Sequence, residues 1–228
     1  MPGQGRKMKY SSMVEGVFLE RRNRFIARVL IDGREETVHV KNTGRCRELL
    51  KPGAKVFLER AANPNRKTAY DLIAVVKDTG VLFNIDSQAP NAVMKEWLEE
   101  QDYDAVRPEY RYGNSRMDFF LEKGPEKVLM EVKGCTLEVD GIGYFPDAPT
   151  ERGAKHLREL HRAASEGYRA ILAFVIQMEG VEEVRPNEKT DPAFAQAFEE
   201  AREAGVEIWL MTCRVRPEEL KIRDLQKG

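Results

Sequence analysis

Three charged residues lie in two apolar segments of the chain, where buried side chains would be expected. Asp118 interrupts RMDFFL, and Glu131 and Lys133 lie two residues apart in VLMEVK. Side chains two apart in a strand share a face, so Glu131 and Lys133 are predicted to point the same way. Burying a bare charge is costly unless it is paired or binds a metal. The pattern therefore fits either a solvated Glu–Lys ion pair at a sheet end or a functional site.

The short connection KGPEK between the two segments predicts a hairpin that places Asp118 beside Glu131. Two adjacent carboxylates repel each other, so the pKa of each is expected to rise unless a cation lies between them. Mg²⁺, or Mn²⁺ in its place, suits such a site because it takes oxygen ligands and retains waters. The predicted chemistry is phosphodiester hydrolysis, with Asp118 and Glu131 as metal ligands and Lys133 orienting a metal-activated water.

Two further polar residues are candidates for the same catalytic site. Glu109 lies one strand earlier, in RPEYRYG, and would complete an acidic cluster. Gln177 ends the apolar run AILAFVIQ, and a polar tip on such a strand is typical of the sheet end that carries a site. A solvated strand residue and a plain strand terminus explain these two residues equally well.

The segment GYFPDAPTERGAKHLREL predicts a helix that begins after an N-cap at Thr150 and ends near Gly167. Arg152, Lys155 and His156 are three or four residues apart on it, so they are predicted to share one face. A basic face at a helix N-terminus beside a metal site would hold a phosphate group of nucleic acid. An ordinary solvated helix face is the alternative.

The order of predicted elements divides the chain into two domains after a flexible tail over residues 1–12. Residues 13–87 contain about five short strands and one short helix in GRCRELLKPG, a pattern typical of a small OB-like β-barrel. Residues 88–228 follow the order α-β-β-β-α-β-α-β, which predicts a mixed sheet flanked by helices, with VEIWLMTC as its last strand.

Basic residues are concentrated in the predicted barrel. Residues 1–87 contain 17 Lys and Arg against 10 Asp and Glu, whereas residues 88–228 contain 20 against 28. This asymmetry predicts a polyanion partner for the first half, although it also fits a chance distribution of solubilising charges. Phe25 or Tyr70 would stack on a base if they do not belong to the barrel core. The candidate phosphate ligands lie in loop-like segments and are Arg21, Arg22, Arg24, Arg45, Arg66 and Lys67.

The cysteines and the lack of long apolar runs limit the cellular locations that the sequence predicts. Cys46, Cys135 and Cys213 are widely spaced and odd in number, which predicts a reduced, cytoplasmic protein without disulfides or a structural zinc site. The polar start of the chain has no apolar signal region, and no run approaches membrane-spanning length, so no membrane partner is expected. The oligomeric state stays open, with a homodimer as one alternative.

Several long segments resemble the signature of the sugar fermentation stimulation protein A (SfsA) family. They include VKNTGRCRELLKPGAKV, EYRYGNSRMDFFLE and FPDAPTERGAKHLREL, and the resemblance runs from about Val14 to the last predicted strand. It implies an OB-like domain, a PD-(D/E)xK restriction-endonuclease-like domain and DNA binding. The order D-x12-E-x-K is similar to that superfamily's motif, with Met117 where the motif's name has Pro. The family's usual HCPNTGRM is HVKNTGRC here, so Lys41 and Cys46 are expected to matter little to function.

The leading hypothesis is a Mg²⁺-dependent DNA-binding protein with a nuclease site. Its rival is a DNA-binding regulator of sugar metabolism genes whose nuclease fold does not cut. A third hypothesis is a barrel-plus-sheet protein that binds another polyanion, such as RNA.

Overall fold

Six strands of the first domain form one sheet that curls into a barrel in the computed structural model, which describes residues 8–228. The sheet order is β3-β2-β1-β4-β5-β6, and a parallel pairing of β3 with β5 closes the first five strands. The predicted OB-like barrel is thereby confirmed. The strands are β1 (Met13–Asn23), β2 (Ile26–Ile31), β3 (Arg34–Val40), β4 (Lys55–Arg60), β5 (Tyr70–Val76) and β6 (Leu82–Asn84).

The predicted short helix in GRCRELLKPG is wrong, because the backbone makes only a single turn there. The Leu50 N–H donates to the Cys46 carbonyl oxygen at 2.9 Å, closing that turn. Cys46 has φ 46°, outside the right-handed helical region, so no helix extends through it. Pro52 disfavours helical geometry at the residue before it, which leaves too few residues between them for a helix.

The second domain is built on a six-stranded mixed sheet of order β15-β14-β12-β9-β8-β7, in which β9, β12 and β14 run parallel. A small sheet, β10-β11-β13, lies beside it. The predicted mixed sheet flanked by helices is confirmed. The elements are α1 (Ala89–Glu99), β7 (Ala105–Tyr112), β8 (Ser115–Lys123), β9 (Glu126–Cys135), β10 (Leu137–Val139), β11 (Ile142–Phe145), α2 (Glu151–Ser165), β12 (Arg169–Ile176), β13 (Val184–Pro186), α3 (Pro192–Glu203), β14 (Glu207–Arg216) and β15 (Glu219–Lys227).

Strand β12 is buried on both faces, as its continuous apolar run predicted. Leu172 and Phe174 belong to the core cluster that contains the apolar residues of α2 and α3. Ile171 and Val175 point the other way, into the cluster that contains those of α1. The sheet is therefore the middle layer between helices, and its strand ends carry the polar residues described below.

Two boundaries differ from the sequence predictions. A further strand, β15, pairs antiparallel with β14, so VEIWLMTC is not the last strand of the sheet. Residues 1–7 of the predicted tail lie outside the described residues, but residues 8–12 are packed. Tyr10 is buried, and its hydroxyl donates to Asp86 Oδ2 at 3.2 Å. Lys9 forms a β-bridge with Glu219, which ties this segment to the second domain.

A buried ion-pair network joins the closing strands of the barrel. The Asp71 carboxylate accepts hydrogen bonds from Arg66 Nη1 and Nη2 at 2.9 and 2.7 Å, so this exposed arginine also holds the fold. Lys41 Nζ lies 3.6 Å from Asp71 and 3.4 Å from Asp86. Lys41 therefore has a structural role, because it neutralises two buried carboxylates.

We expect Asp71→Asn to lower the free energy of unfolding at pH 7 by about 2 kcal/mol, because it removes charge-assisted hydrogen bonds. Burial raises the Asp71 pKa, but hydrogen bonds from Arg66 and His39 outweigh it and hold the pKa below its ordinary value. A depressed folded pKa gives stability that is present above the unfolded pKa, about 3.9, and is lost as pH falls through the folded value. Urea unfolding between pH 7 and pH 2 should show this loss in the wild type and a flatter dependence in the variant.

Asp78→Asn is the matched control for this measurement, since Asp78 is exposed and makes a single ion pair with Lys51. It should leave the unfolding free energy nearly unchanged. An Asp71→Asn protein as stable as the Asp78→Asn protein at pH 7 would contradict the role given to the network.

Candidate active site at the ends of the central strands

Asp118 is held against β9 at the open end of the β8–β9 hairpin. The pairing of the two strands runs from Lys123–Glu126 to Phe119–Met130, and Asp118 is the next residue of β8. The Val132 N–H donates to Asp118 Oδ2 at 2.8 Å, and Asn91 Nδ2 donates to Oδ1 at 2.8 Å. The predicted hairpin thus places the Asp118 carboxylate beside the residue that follows Glu131.

Glu131 is buried, with only 2% of its surface exposed, and its two carboxylate oxygens differ in their surroundings. Oε1 accepts a hydrogen bond from Lys133 Nζ at 2.6 Å and another from Nδ1–H of His156. Oε2 is buried and has no hydrogen-bond partner. A buried carboxylate oxygen without a partner is costly, so this atom marks a place where a ligand or water belongs.

His156 reaches Glu131 from α2, and it is buried with 4% exposure. Arg152 Nε donates to its other ring nitrogen, Nε2, at 3.4 Å. Because an arginine only donates, Nε2 is the acceptor and the ring proton lies on Nδ1, which donates to Glu131 Oε1. His156 therefore lies beside Glu131 and is buried, so it does not form an exposed basic face together with Arg152 and Lys155. Arg152 and Lys155 are exposed, and Lys155 Nζ donates to the Asn114 carbonyl oxygen.

The pKa values of the two carboxyl groups are shifted in opposite directions. Burial, and then the nearby charge of Glu131, raise the pKa of Asp118 above its ordinary value. Burial acts in the same direction on Glu131, but the hydrogen bond from His156 and the ammonium of Lys133 outweigh it, so the Glu131 pKa is lowered. The pKa of Asp118 is thus raised as expected for adjacent carboxylates, whereas that of Glu131 is lowered because a neighbouring cation and a hydrogen-bond donor stabilise its charge.

Glu109 and Gln177 do not join this pair through any hydrogen bond. Glu109 has φ 54° and a side chain that is 71% exposed, and its carboxylate lies 3.6 Å from Arg116. Gln177 is buried and donates from Nε2 to Asn84 Oδ1 at 2.9 Å and to the Asp86 carbonyl oxygen at 3.1 Å. Glu109 is thus a solvated strand residue, and Gln177 fastens the second domain to the barrel.

Within residues 8–228 no group of three or more His, Cys, Asp or Glu side chains is arranged to hold a metal ion. The predicted acidic cluster is therefore reduced to Asp118 and Glu131. Asn91 is a site residue that sequence reasoning missed. It lies in the first turn of α1, and nothing in the segment QAPNAV signals a contact with a strand 27 residues later.

Arg21 is a structural residue of the barrel and not a free phosphate ligand. Its guanidinium donates to five backbone carbonyls, those of Asn23, Arg24, Asn42, Gly44 and Arg45. These bonds satisfy all of its strong donor directions and fix the loop that follows β3. The role predicted for Arg21 is therefore replaced by one in holding this loop.

The remaining basic candidates of the barrel lie on its surface. Arg24, Arg45 and Lys67 are exposed, and Arg22 is exposed and bonded to Glu20 at 3.0 Å. Phe25 is 50% exposed, so it is not a core residue. Tyr70, by contrast, is buried and accepts a hydrogen bond from Arg60 at its hydroxyl. Phe25 is accordingly an exposed aromatic ring on this surface.

Comparison with known families decides the relationship of the chain. The family described as "Sugar fermentation stimulation protein RE domain" matches residues 88–219, and "SfsA N-terminal OB domain" matches residues 19–85. The chain belongs to the SfsA family. The match covers both the barrel and the sheet domain, and it confirms the resemblance seen in the sequence.

Curated members of the SfsA family are similar over nearly their whole length. The sugar fermentation stimulation protein homolog of Desulfitobacterium hafniense (strain DSM 10664 / DCB-2) is 51% identical over 220 residues, which cover 95% of this chain and 96% of that protein. The homolog of Clostridium beijerinckii is 49% identical over 221 residues, covering 95% and 97%.

A solved SfsA structure has the same fold. It is that of Pyrococcus furiosus SfsA in complex with Ca²⁺, with a TM-score of 0.82, 31% identity, and coverage of 96% of this chain and 97% of that one. None of the helices described for the present chain is long and apolar enough to cross a membrane.

Proposed function

We propose that this SfsA chain is a DNA-binding protein that cleaves phosphodiester bonds with Mg²⁺ or Mn²⁺. The observation that carries the proposal is the buried Glu131 Oε2, which has no partner and belongs to a carboxylate whose lowered pKa keeps it ionised. The adjacent Asp118 carboxylate supplies further oxygen atoms at the same strand ends. Oxygen atoms of this kind are the ligands of hard divalent cations.

The donor set fits Mg²⁺, with Asp118 and Glu131 as the residues that would hold it. When bound, the ion would supply charge stabilisation at a phosphate oxygen and a more acidic water. The related Pyrococcus furiosus protein has been solved in complex with Ca²⁺, another hard cation with oxygen ligands. The raised pKa of Asp118 supports the same assignment, since a divalent cation would relieve the repulsion between the two carboxylates.

Lys133 is the cationic member of the site. Its side chain is 14% exposed and its ammonium donates to Glu131 Oε1 at 2.6 Å, so this residue lies at the boundary between the buried pair and solvent. In this position it orients an attacking water and offsets negative charge that develops on the phosphate. Arg152 and Lys155, exposed on α2, provide further positive charge for the scissile strand.

The barrel provides the anchor for the DNA backbone. Its exposed cations Arg24, Arg45 and Lys67 lie in the half of the chain where basic residues outnumber acidic ones by 17 to 10. The three cysteines are buried and free, which supports a reducing, cytoplasmic location.

We expect a variant with Arg24→Ala, Arg45→Ala and Lys67→Ala to bind DNA more weakly and with less salt dependence. Each lost phosphate contact should lower the slope of log affinity against log salt by about 0.7–0.9. Binding should be measured without divalent metal, by fluorescence anisotropy of a labelled oligonucleotide between about 50 and 200 mM salt. An unchanged slope would show that the barrel is not the anchor, and the exposed Arg152 and Lys155 would take its place.

Arg202→Ala is the control for charge. Arg202 is an exposed cation on α3 in the acidic half and pairs with Glu199. It should leave the slope unchanged.

A DNA-binding regulator that does not cut is the second candidate function. It is favoured by the lack, within residues 8–228, of a third acidic, histidine or cysteine side chain placed to hold a metal with Asp118 and Glu131. It is also favoured by the hydrogen bonds that Glu131 Oε1 already accepts from Lys133 and His156. Incubation of DNA with purified protein, with and without Mg²⁺ or Mn²⁺, separates the two. Metal-dependent cleavage supports the first function, and binding without cleavage in every metal supports the second.

A further inference from the structure

A polar cleft of about 360 Å³ lies between the barrel and the sheet domain. The barrel side contributes Arg24, Thr43 and Ser87, and the sheet side contributes Gly134, Thr136 and Gln177, among others. Gly134 follows Lys133 directly on β9, and Thr150, the N-cap of the helix that carries His156, also lines the cleft. The cleft is thus lined by the residue that follows Lys133 and by the residue that caps the helix of His156.

The walls of the cleft are fixed by contacts between the two domains. The Cys46 N–H of the barrel donates to Asp147 Oδ2 of the sheet domain at 2.8 Å. A Cβ at Gly44 would lie 2.8 Å from the same oxygen, so glycine is what allows the two loops to approach this closely. At Gly134 a Cβ would lie 2.3 Å from Gln177 Oε1. The cleft is therefore preformed, as small-ligand sites usually are.

The chemistry of the lining suits a nucleobase better than a phosphate group. Among the lining residues Arg24 is the cation and Asp147 is the acid, so the cleft has no excess of positive charge. Thr43, Thr136 and Ser87 offer hydroxyl groups, and such donors and acceptors pair with the hydrogen-bonding edge of a base. A base presents its Watson–Crick edge to such groups only when it is unpaired.

An aromatic ring lies next in sequence to the rim of this cleft. Phe25 follows Arg24, and half of its surface is exposed. Stacking of a base on an exposed aromatic ring beside basic side chains is the usual means by which single strands are bound. The guanidinium of Arg24 is then available for the phosphate that joins the stacked base to the base in the cleft.

We infer that the cleft takes one unpaired base of single-stranded DNA, while Phe25 stacks on a neighbouring base. The inference rests on the proposed function and names its substrate class. A strand bound in this way runs from the barrel surface across the cleft towards Lys133 and the Asp118–Glu131 pair.

The test compares one labelled oligonucleotide, single-stranded and as a duplex, by fluorescence anisotropy in EDTA, so that no outcome depends on cleavage. We expect the single strand to bind about tenfold more tightly, since stacking of one base contributes on the order of tenfold in affinity. Thr43→Trp, which fills the cleft, and Phe25→Ala should each lose about five- to tenfold for the single strand and little for the duplex. Thr37→Trp, the same change at an exposed position of β3 outside the cleft lining, is the control and should bind like wild type.

An abasic residue moved through the oligonucleotide supplies a second readout. At one position of the oligonucleotide, the abasic residue should weaken binding by the wild-type protein several fold. The same abasic oligonucleotide should bind Thr43→Trp as the intact one does, because the cleft of that variant is already filled. Wild-type preference for the duplex, or Thr43→Trp binding the single strand as tightly as Thr37→Trp, would overturn the inference and leave the proposed DNA binding intact. A wild-type protein that binds neither form would overturn both.

Discussion

Asp118→Asn and Glu131→Ala are each expected to reduce Mg²⁺-dependent DNA cleavage by at least about a thousandfold. Each variant removes a carboxylate that would hold the ion, and the charge stabilisation that the ion supplies is worth several kcal/mol, with 1.4 kcal/mol for each factor of ten in rate. Initial rates on a labelled DNA substrate measure the effect. DNA binding in the absence of metal should be unchanged in both variants, because the anchor cations lie on the barrel.

The stability of Asp118→Asn separates loss of chemistry from loss of fold. Burial and the charge of Glu131 raise the pKa of Asp118, so its ionised form at pH 7 opposes folding. An asparagine carbonyl still accepts the Val132 N–H, and Asn91 turns its amide to suit the new neighbour. The variant should therefore unfold at a temperature at least as high as that of the wild type.

Asp102→Asn is the matched control, because Asp102 is almost fully exposed and pairs only with Lys123 among the ion pairs described. It should cleave and unfold like wild type. Metal-dependent cleavage that survives undiminished in both Asp118→Asn and Glu131→Ala would place the chemistry elsewhere in the protein.

The features of the site that depend on neighbours in sequence were predictable. The hairpin that unites Asp118 with the strand of Glu131 follows from a short connection and two strand patterns. The two helix caps are equally local: Thr150 Oγ1 accepts from Gly153 N at 3.0 Å, and Asp191 Oδ1 from Phe194 N at 2.9 Å. Apolar periodicity likewise predicted the barrel strands and the buried strand β12.

The features that depend on packing over long distances were not predictable. Helical spacing placed His156 on one face with Arg152 and Lys155, but it did not show that α2 packs its His156 side against β9. The bonded guanidinium groups of Arg21 and Arg66 could not be told in the sequence from those of free loop arginines. The short strands β10, β11 and β13 have too few residues for a period to be recognised.

His156→Leu is expected to lower the free energy of unfolding at pH 7 by about 3–5 kcal/mol, the cost of breaking a buried polar pair by removing one partner. Glu131 is ionised and 2% exposed, and after the substitution only Lys133 remains to stabilise its charge. Leucine fills a similar volume, so the loss reports the hydrogen bond and not a cavity. Urea unfolding monitored by circular dichroism measures it. His161→Leu, on the same helix but partly exposed, is the control and should change the value by less than about 0.5 kcal/mol.

The double variant Glu131→Gln with His156→Leu decides whether the cost comes from the stranded charge. A neutral glutamine beside the leucine removes the buried charge of Glu131 that had lost its partner, so the double variant should be more stable than His156→Leu alone by about 2 kcal/mol. If the two substitutions destabilise additively, His156 stabilises the protein through packing, and the ring does not hold Glu131 in place. In that case Arg152→Ala, which removes the donor to Nε2 of His156, should also leave cleavage unchanged. If the stability effects of Glu131→Gln and His156→Leu are instead non-additive, as expected, Arg152→Ala should slow cleavage while DNA binding in EDTA falls only slightly. Arg152 then acts on the site through the orientation of His156.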